Sequence, residues 1–214
     1  MLKVFIQEPG AEYVWQRWLQ RRPTMYTRVK DLADADMLVL TGGADISPSL
    51  YGEEPIFEGW YNTSRDEAEW AAIEQASKMG ILMFGICRGG QLLNVFNGGK
   101  LWQHIVGHGR DHHIKDIVTG ETVTTSSVHH QMFRVTDEAV VIGVCNLATE
   151  KFAEGARWQA GVNNPDPDVE VCYYPKTRSI CVQGHPEFGP QEFTHYCDRL
   201  VERYVNYNAE TVAA

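Results

Sequence analysis

A cysteine set among small residues is the first feature of this chain with chemical potential: Gly85-Ile86-Cys87-Arg88-Gly89-Gly90-Gln91. An apolar run, Ile81 to Phe84, precedes it, and Leu92, Leu93, Val95 and Phe96 follow. Small residues on both sides allow a sharp strand-to-helix turn that lifts a nucleophile above the edge of a sheet in strained geometry. The N-terminus of the following helix adds oriented N–H groups and a dipole. Both favour a thiolate and lower a cysteine's pKa below its free value of about 8.5. The competing reading is a buried structural cysteine, which leaves the flanking glycines without a purpose.

A thiol nucleophile needs a group that takes its proton and returns it to the leaving nitrogen, a task suited to imidazole. Of the eight histidines, His185 follows the apolar run Ser179 to Gln183 directly, in Gln183-Gly184-His185-Pro186-Glu187. That position brings it to the same sheet edge as Cys87. Pro186 stiffens the turn, and the Glu187 carboxylate can fix the tautomer and orientation of the ring. Donors for a developing oxyanion are expected from the N–H of Arg88 and from the N–H of Gly43 in Thr41-Gly42-Gly43. The plainer reading of Gly42 and Gly43 is a tight turn.

Six of the other seven histidines, His104, His108, His112, His113, His129 and His130, raise a metal alternative. Zinc needs three or four converging ligands. Adjacent residues in an extended segment face opposite sides, so neither His112-His113 nor His129-His130 converges simply on one ion, and no metal is expected. Ser127-Val128-His129-His130-Gln131 reads instead as a polar loop offering donors and acceptors to the amino-acid end of a substrate.

These residues act only if regular elements hold them. Lys3 to Gln7 reads as a strand, Ala11 to Gln20 as a helix with Tyr13, Val14, Trp18 and Leu19 on one side, and Asp36 to Leu40 as a second buried strand ending at the Gly42-Gly43 loop. Ala44 to Asn62 is an irregular excursion over that edge, with Trp60 placed to line a pocket. Ser64 and Glu67 form a capping box for a helix that runs to Gly80. Ile81 to Phe84 and Gly89 to Phe96 complete a helix, strand, turn, helix unit of alpha/beta wiring with a parallel sheet. Beyond it come beta-prone pieces at Leu101 to Val106, Thr122 to Ser126, Val140 to Cys145, Val169 to Tyr174 and Ser179 to Gln183. Gly161 to Asp168 is a surface loop. A closing helix follows Pro190, with Phe193, Cys197, Leu200, Val201 and Tyr204 at helical spacing.

The 214 residues fit one domain, 1–214, and 43% hydrophobic content suffices for a core. A formal charge of -9 opposes nucleic-acid binding. Arg17, Arg21 and Arg22 around Trp18 read as a solvated face. Five cysteines without a CxxC pair fit a reducing compartment, and Cys145, Cys172, Cys181 and Cys197 fall in core-like runs. The N-terminus lacks a signal-peptide pattern, and no stretch reaches the roughly 20 apolar residues that cross a bilayer. A cytoplasmic protein that engages no membrane is expected, with no oligomeric state set.

The turn Gly85 to Gln91, followed by Asn94-Val95 and Gly98-Gly99, resembles the nucleophile elbow of class I glutamine amidotransferase-like proteins, specifically their gamma-glutamyl hydrolase branch, which includes gamma-glutamyl-GABA hydrolase-like proteins. Three further blocks agree in order: Leu40 to Ile46 through Tyr51-Gly52-Glu53, Ser127 to Gln131, and His185-Pro186-Glu187. The resemblance implies a flavodoxin-like three-layer alpha/beta sandwich with a mostly parallel central sheet. It implies hydrolysis of glutamine or another gamma-glutamyl amide through a cysteine thioester, releasing ammonia or an amine. Cys87 is then the nucleophile, His185 the base and acid, Glu187 its orienting partner, Gly43 and Arg88 the oxyanion donors, and Gln91 and His129 the border of the glutamyl group. No metal or organic cofactor is implied, and an ammonia-accepting synthetase is a candidate partner. The branch often has an aromatic residue where Gly184 stands, so an opened pocket wall is expected. Other chemistry on the same fold, as an isomerase, lyase or peptidase, is a competing reading, as is a catalytically silent binding module.

Overall fold

The computed structural model describes residues 1–59, 61–159 and 167–206. Trp60 and positions 161–166 of the expected surface loop therefore lie outside the described residues. In chain order the elements are β1 (Leu2–Ile6), α1 (Ala11–Arg17), β2 (Tyr26–Arg28), β3 (Met37–Leu40), α2 (Thr63–Met79), β4 (Leu82–Ile86) and α3 (Arg88–Phe96). Ten further strands and a helix follow: β5 (Lys100–Trp102), β6 (His104–Val106), β7 (His112–Asp116), β8 (Thr122–Thr125), β9 (Met132–Arg134), β10 (Val140–Cys145), β11 (Glu150–Ala153), β12 (Ala156–Gln159), β13 (Asp168–Tyr174), β14 (Ser179–Val182) and α4 (Gln191–Val205).

The main sheet has nine strands in the order β2-β1-β3-β4-β14-β13-β10-β7-β8. From β2 to β14 the pairings are parallel. From β14 outward they are antiparallel. The central strands of the parallel half, β3, β4 and β14, are buried at every residue, as crossover helices on both faces require. In β3, Met37 and Val39 join one core with Trp18 of the α1 region and with Phe193, Tyr196 and Leu200 of α4, while Leu38 and Leu40 join another with Ile73 of α2 and Leu92 and Leu93 of α3. Side-chain alternation along one strand thus feeds both helical layers of an alpha/beta sandwich.

The structure adjusts several local expectations. Helix α1 stops at Arg17, and Leu19 to Arg21 form a separate 3-10 turn. Val14, Trp18 and Leu19 are buried, whereas Tyr13 is exposed, with Arg17 over its ring. The cap of α2 is Asn62, whose side chain accepts from the Arg65 N–H at 3.0 Å, in place of the Ser64 and Glu67 box. Gly80, in the left-handed region, ends that helix as expected. Leu101 to Val106 divides into β5 and β6, which pair in two small separate sheets. Strands β2, β7, β9, β11 and β12 lack a signal of their own because each is short and takes its stability from its neighbours. Arg17 and Arg21 are exposed, but Arg22 donates to Asp198 Oδ2 at 2.7 Å.

Among the described residues no helix is long and apolar enough to cross a membrane. All five cysteines are free and buried.

Candidate functional site

Strand β4 ends where α3 begins, and the residue between them is Cys87. Its backbone is held at φ 48 and ψ -108, a conformation costly for a side chain with a Cβ. The N–H of Cys87 donates to Val182 O at 2.7 Å, and its carbonyl accepts from Gln91 N at 2.9 Å. The turn is therefore pinned to β14 on one side and opens the helix on the other. Glycine is required here by contact: a Cβ on Gly85 would lie 2.4 Å from the Gly89 carbonyl, and one on Gly89 would lie 2.5 Å from Leu40 O. Backbone meets backbone on both sides of the nucleophile.

Strand β14, parallel and adjacent to β4, delivers His185 to the same edge. Its Nδ1 lies 2.8 Å from Glu187 Oε1, its backbone N–H donates to Ser126 Oγ at 2.9 Å, and Phe188 stacks on the ring at 4.3 Å between centroids. Burial by itself presses the His185 pKa down. The hydrogen bonds and charge interactions with Cys87 and then Glu187 outweigh that and carry it up to about 10. Cys87, His185 and Glu187, separated in sequence by up to 100 positions, thus form one buried constellation.

The loop after β3 closes against it. A Cβ on Gly42 would lie 2.6 Å from His185 Cε1. Gly43 adopts φ 156, and a Cβ there would lie 2.1 Å from Arg65 Nη1. The backbone conformation favours glycine, and a side chain there would have to displace the Arg65 guanidinium from its partners. The Arg65 guanidinium donates to the carbonyls of Thr41 and Gly42 at 3.1 Å each, which fixes the loop to the start of α2.

Arg88 shows a role that its place after the nucleophile does not reveal. Its side chain is turned into the protein and pairs with Asp66 and Glu69 of α2, while Arg65 Nε binds Glu69 Oε1 at 2.8 Å. Two arginines and two acids thereby clamp the first residue of α3, the loop after β3 and the start of α2 together. The buried face of α2 carries Asp66, Glu69, Ile73 and Ala76. Acids at an inward helical spacing were the available signal. Replacing Glu69 with Ala leaves Arg88 and Arg65 buried and undercompensated. A loss of about 3 to 5 kcal/mol is expected, seen as a lowered urea midpoint with an unchanged slope. A midpoint within error of the parent would refute the clamp.

Gln91 is buried on α3 with its amide Nε2 3.5 Å from Gln131 O. His129 lies close by, but its ring nitrogens both face protein groups: Nδ1 is 2.9 Å from Gln131 O, and Nε2 is 3.5 Å from Glu170 Oε1. Those contacts hold the 127–131 loop in place. Gly184 does not open a pocket wall. It is buried, and a Cβ there would lie 1.9 Å from Thr125 Oγ1 and 2.8 Å from Phe193, so the space is already filled. Glu53 anchors the excursion after β3 by binding Arg134 at 2.7 Å and Gln103 at 3.2 Å.

The alternation argument holds within each histidine pair, since His113 and His130 are exposed. Across the pairs it fails to separate the residues: His112 and His129, with His108, all turn toward Glu170. This convergence depends on β7, β13 and the loop before β9 meeting in space.

A family model described as Peptidase C26 matches residues 18–187. YvdE of Lactococcus lactis subsp. lactis (strain IL1403), which bears the provisional name of a glutamine amidotransferase-like protein, is 31% identical over 80% of this chain and 73% of its own length. The carbamoyl phosphate synthase small chain of Polynucleobacter asymbioticus is 30% identical over 62% of this chain, a match spanning 30% of that protein. The crystal structure of a glutamine amidotransferase from Thermotoga maritima superposes with a TM-score of 0.59 at 13% identity, covering 94% of this chain and 84% of that one.

Proposed function

The chain belongs to the Peptidase C26 family, within the class I glutamine amidotransferase-like proteins, and from that premise we propose that it hydrolyses the side-chain amide of glutamine or of a closely related gamma-glutamyl amide. The observation that carries this reading is the meeting of a strained Cys87 with the His185–Glu187 pair at one sheet edge, beside the Gly42-Gly43 loop.

In this mechanism the Cys87 thiolate attacks the amide carbonyl carbon, and the electron pair of the C=O bond moves to oxygen. The N–H groups of Gly43 and Arg88 stabilise that oxyanion. Collapse expels the nitrogen, which takes its proton from the His185 imidazolium, leaving a gamma-glutamyl thioester. Neutral His185 then draws a proton from water, which attacks the thioester and returns Cys87 to its resting form. Glu187 holds the imidazole by Nδ1 throughout. Gln91 and the wall containing His129 border the glutamyl end. Residues 1–214 work as one catalytic unit in the cytoplasm, where free thiols persist.

Membership of the gamma-glutamyl hydrolase branch is the finer part of the proposal, because it makes the leaving group an amine as well as ammonia. The similarity to a carbamoyl phosphate synthase small chain supports a second arrangement, in which released ammonia passes to a synthetase partner.

A panel of L-glutamine and gamma-glutamyl amines, with mass detection of the released amine and with or without candidate synthetases from the same genome, tests the activity. The panel is best run across pH. A His185 pKa raised to about 10 keeps the imidazolium present well above neutrality. Its contribution to stability is complete below the unfolded value of about 6.5 and is lost as pH rises through about 10. Turnover should accordingly hold between about pH 7 and 9 and fall on the alkaline side as the leaving-group acid loses its proton. Absence of release from every substrate by a folded protein would reject the amidase reading, and an alkaline fall centred near pH 7 would reject the raised imidazolium.

A further inference from the structure

Four donor side chains, three from antiparallel strands β7, β10 and β13 and one from the loop before β7, come together outside the Cys87 constellation. Glu170 Oε1 on β13 lies 3.4 Å from His108 Nδ1, 3.3 Å from His112 Nε2 and 3.8 Å from Cys145 Sγ. One ligand atom from each of these residues lies within 4.8 Å of every other. The His108 and Glu170 side chains are 1% exposed and that of His112 is 7% exposed.

The distances themselves are informative. An N–H···O hydrogen bond spans about 2.7 to 3.2 Å. Tetrahedral zinc, with bonds of about 2.0 to 2.3 Å, holds its ligands about 3.3 to 3.8 Å apart. The two nitrogen separations from Glu170 Oε1 match the second spacing, and the 3.8 Å to Cys145 Sγ, which a thiol hydrogen bond also spans, is compatible with it.

Hydrogen bonding on the outer side of each ring points the same way. His112 Nδ1 lies 3.1 Å from the Arg110 carbonyl, which can only accept, so Nδ1 carries the proton. His108 Nε2 lies 3.2 Å from Asp168 Oδ2. Asp168 also binds Lys151 Nζ at 2.6 Å and the N–H groups of Leu147 and Ala148 at 2.7 and 2.8 Å, which keep it an ionised acceptor. In neutral rings the inward nitrogens, His108 Nδ1 and His112 Nε2, therefore present lone pairs to a carboxylate oxygen. Neither makes a hydrogen bond of ordinary geometry among the described residues. Facing lone pairs repel, and a cation between them converts the repulsion into coordination. Outward N–H bonds to a carbonyl and a carboxylate are the support that ligating histidines use.

We propose that His108, His112, Cys145 and Glu170 form a tetrahedral site for a divalent transition metal, with Zn²⁺ the best match. Two imidazoles, a thiolate and a carboxylate suit a borderline-soft ion without geometric preference. The Cys145 thiol releases its proton to solvent on binding, so the two anionic ligands balance the ion's charge. His129, with Nε2 3.5 Å from Glu170 Oε1, flanks the set. The site ties β7, β10 and β13 to the loop carrying His108. It also lies behind β14, because the Gln183 N–H donates to Glu170 O at 2.9 Å two residues before His185. Its role is structural and independent of the amidase reading. It departs from the expectation that no metal is bound, which weighed each adjacent histidine pair alone. The competing account of the same contacts is a metal-free ion pair of imidazolium with Glu170.

The test uses the full chain, purified without a polyhistidine tag from zinc-supplemented culture. Elemental analysis should find about one zinc per chain in the parent and in Cys87→Ala, and under about a tenth in His112→Ala and Cys145→Ser. Replacement by Co²⁺ should give tetrahedral visible bands and a sulfur-to-cobalt charge-transfer band that Cys145→Ser lacks, with circular dichroism reporting its fold. The cobalt spectrum of the parent decides the matter even if both variants unfold. A parent that holds under about a tenth of an equivalent after incubation with excess zinc and dialysis, and shows no charge-transfer band, overturns the proposal. Equal metal content in folded His112→Ala and Cys145→Ser overturns it as well.

Discussion

Cys87→Ala is expected to leave a folded chain with turnover reduced about 10⁴-fold or more, because no other group near the reacting carbonyl can form the thioester. The strained backbone at φ 48 makes this variant informative in a second way. Alanine carries the same Cβ cost, so folding should change little while chemistry stops. In the parent, a glutamine-mimicking electrophile should modify Cys87 and spare the other four thiols. Cys172, Cys181 and Cys197 have no exposed surface, and burial pushes the Cys181 and Cys197 thiols far above their ordinary range. In the metal-free chain Cys145 is raised in the same direction, first by burial and then by the charges of Glu170 and Asp168, and in the proposed site its sulfur is committed to the metal. Peptide mapping after a short exposure reads the selectivity. Rapid labelling of Cys181 or Cys197, with activity retained in Cys87→Ala, would end the assignment.

His185 and Glu187 should differ in the size of their effects. His185→Ala removes the proton carrier of both acylation and deacylation, and a loss of about 10³- to 10⁴-fold is expected. Glu187→Gln keeps the ring and a partner for its Nδ1–H but removes the charge that supports the imidazolium. A charge-assisted hydrogen bond contributes about 1.5 to 3 kcal/mol, which corresponds to a loss of roughly 10- to 100-fold. The variant should still react with the electrophile. Its imidazolium should deprotonate at lower pH than the parent's, since Glu187 is one of the two groups that raise it. Single-turnover acylation and steady-state amine release separate the two steps, with circular dichroism confirming the fold. Equal and unimpaired rates in both variants would remove His185 and Glu187 from the mechanism.

Much of the fold was legible because its parallel half is built from local signals. The apolar runs at Lys3 to Gln7, Asp36 to Leu40 and Ile81 to Phe84 fall within a residue or two of β1, β3 and β4. The exact match at Val140 to Cys145 has the same origin in a beta-branched run. The antiparallel extension was harder to read. Strand β7, His112 to Asp116, has a polar sequence and persists because β8 and β10 pair with it. Helix α2 misled at its cap because Ser64 and Glu67 satisfy a capping pattern that Asn62, two residues earlier, fulfils in the structure.

Sequence by itself determined the turn around Cys87 and the partnership of His185 with Glu187. A glycine's tolerance of close contact and a proline-spaced His–Glu pair are properties of a few consecutive residues. Tertiary structure alone decided that Arg88 points inward to Asp66 and Glu69, that Phe193 fills the space beside Gly184, and that one histidine from each adjacent pair turns toward Glu170. Those outcomes depend on side chains from different elements sharing a buried volume. There an unpaired charge or an unfilled space is costly enough to select a partner that spacing along the chain does not identify.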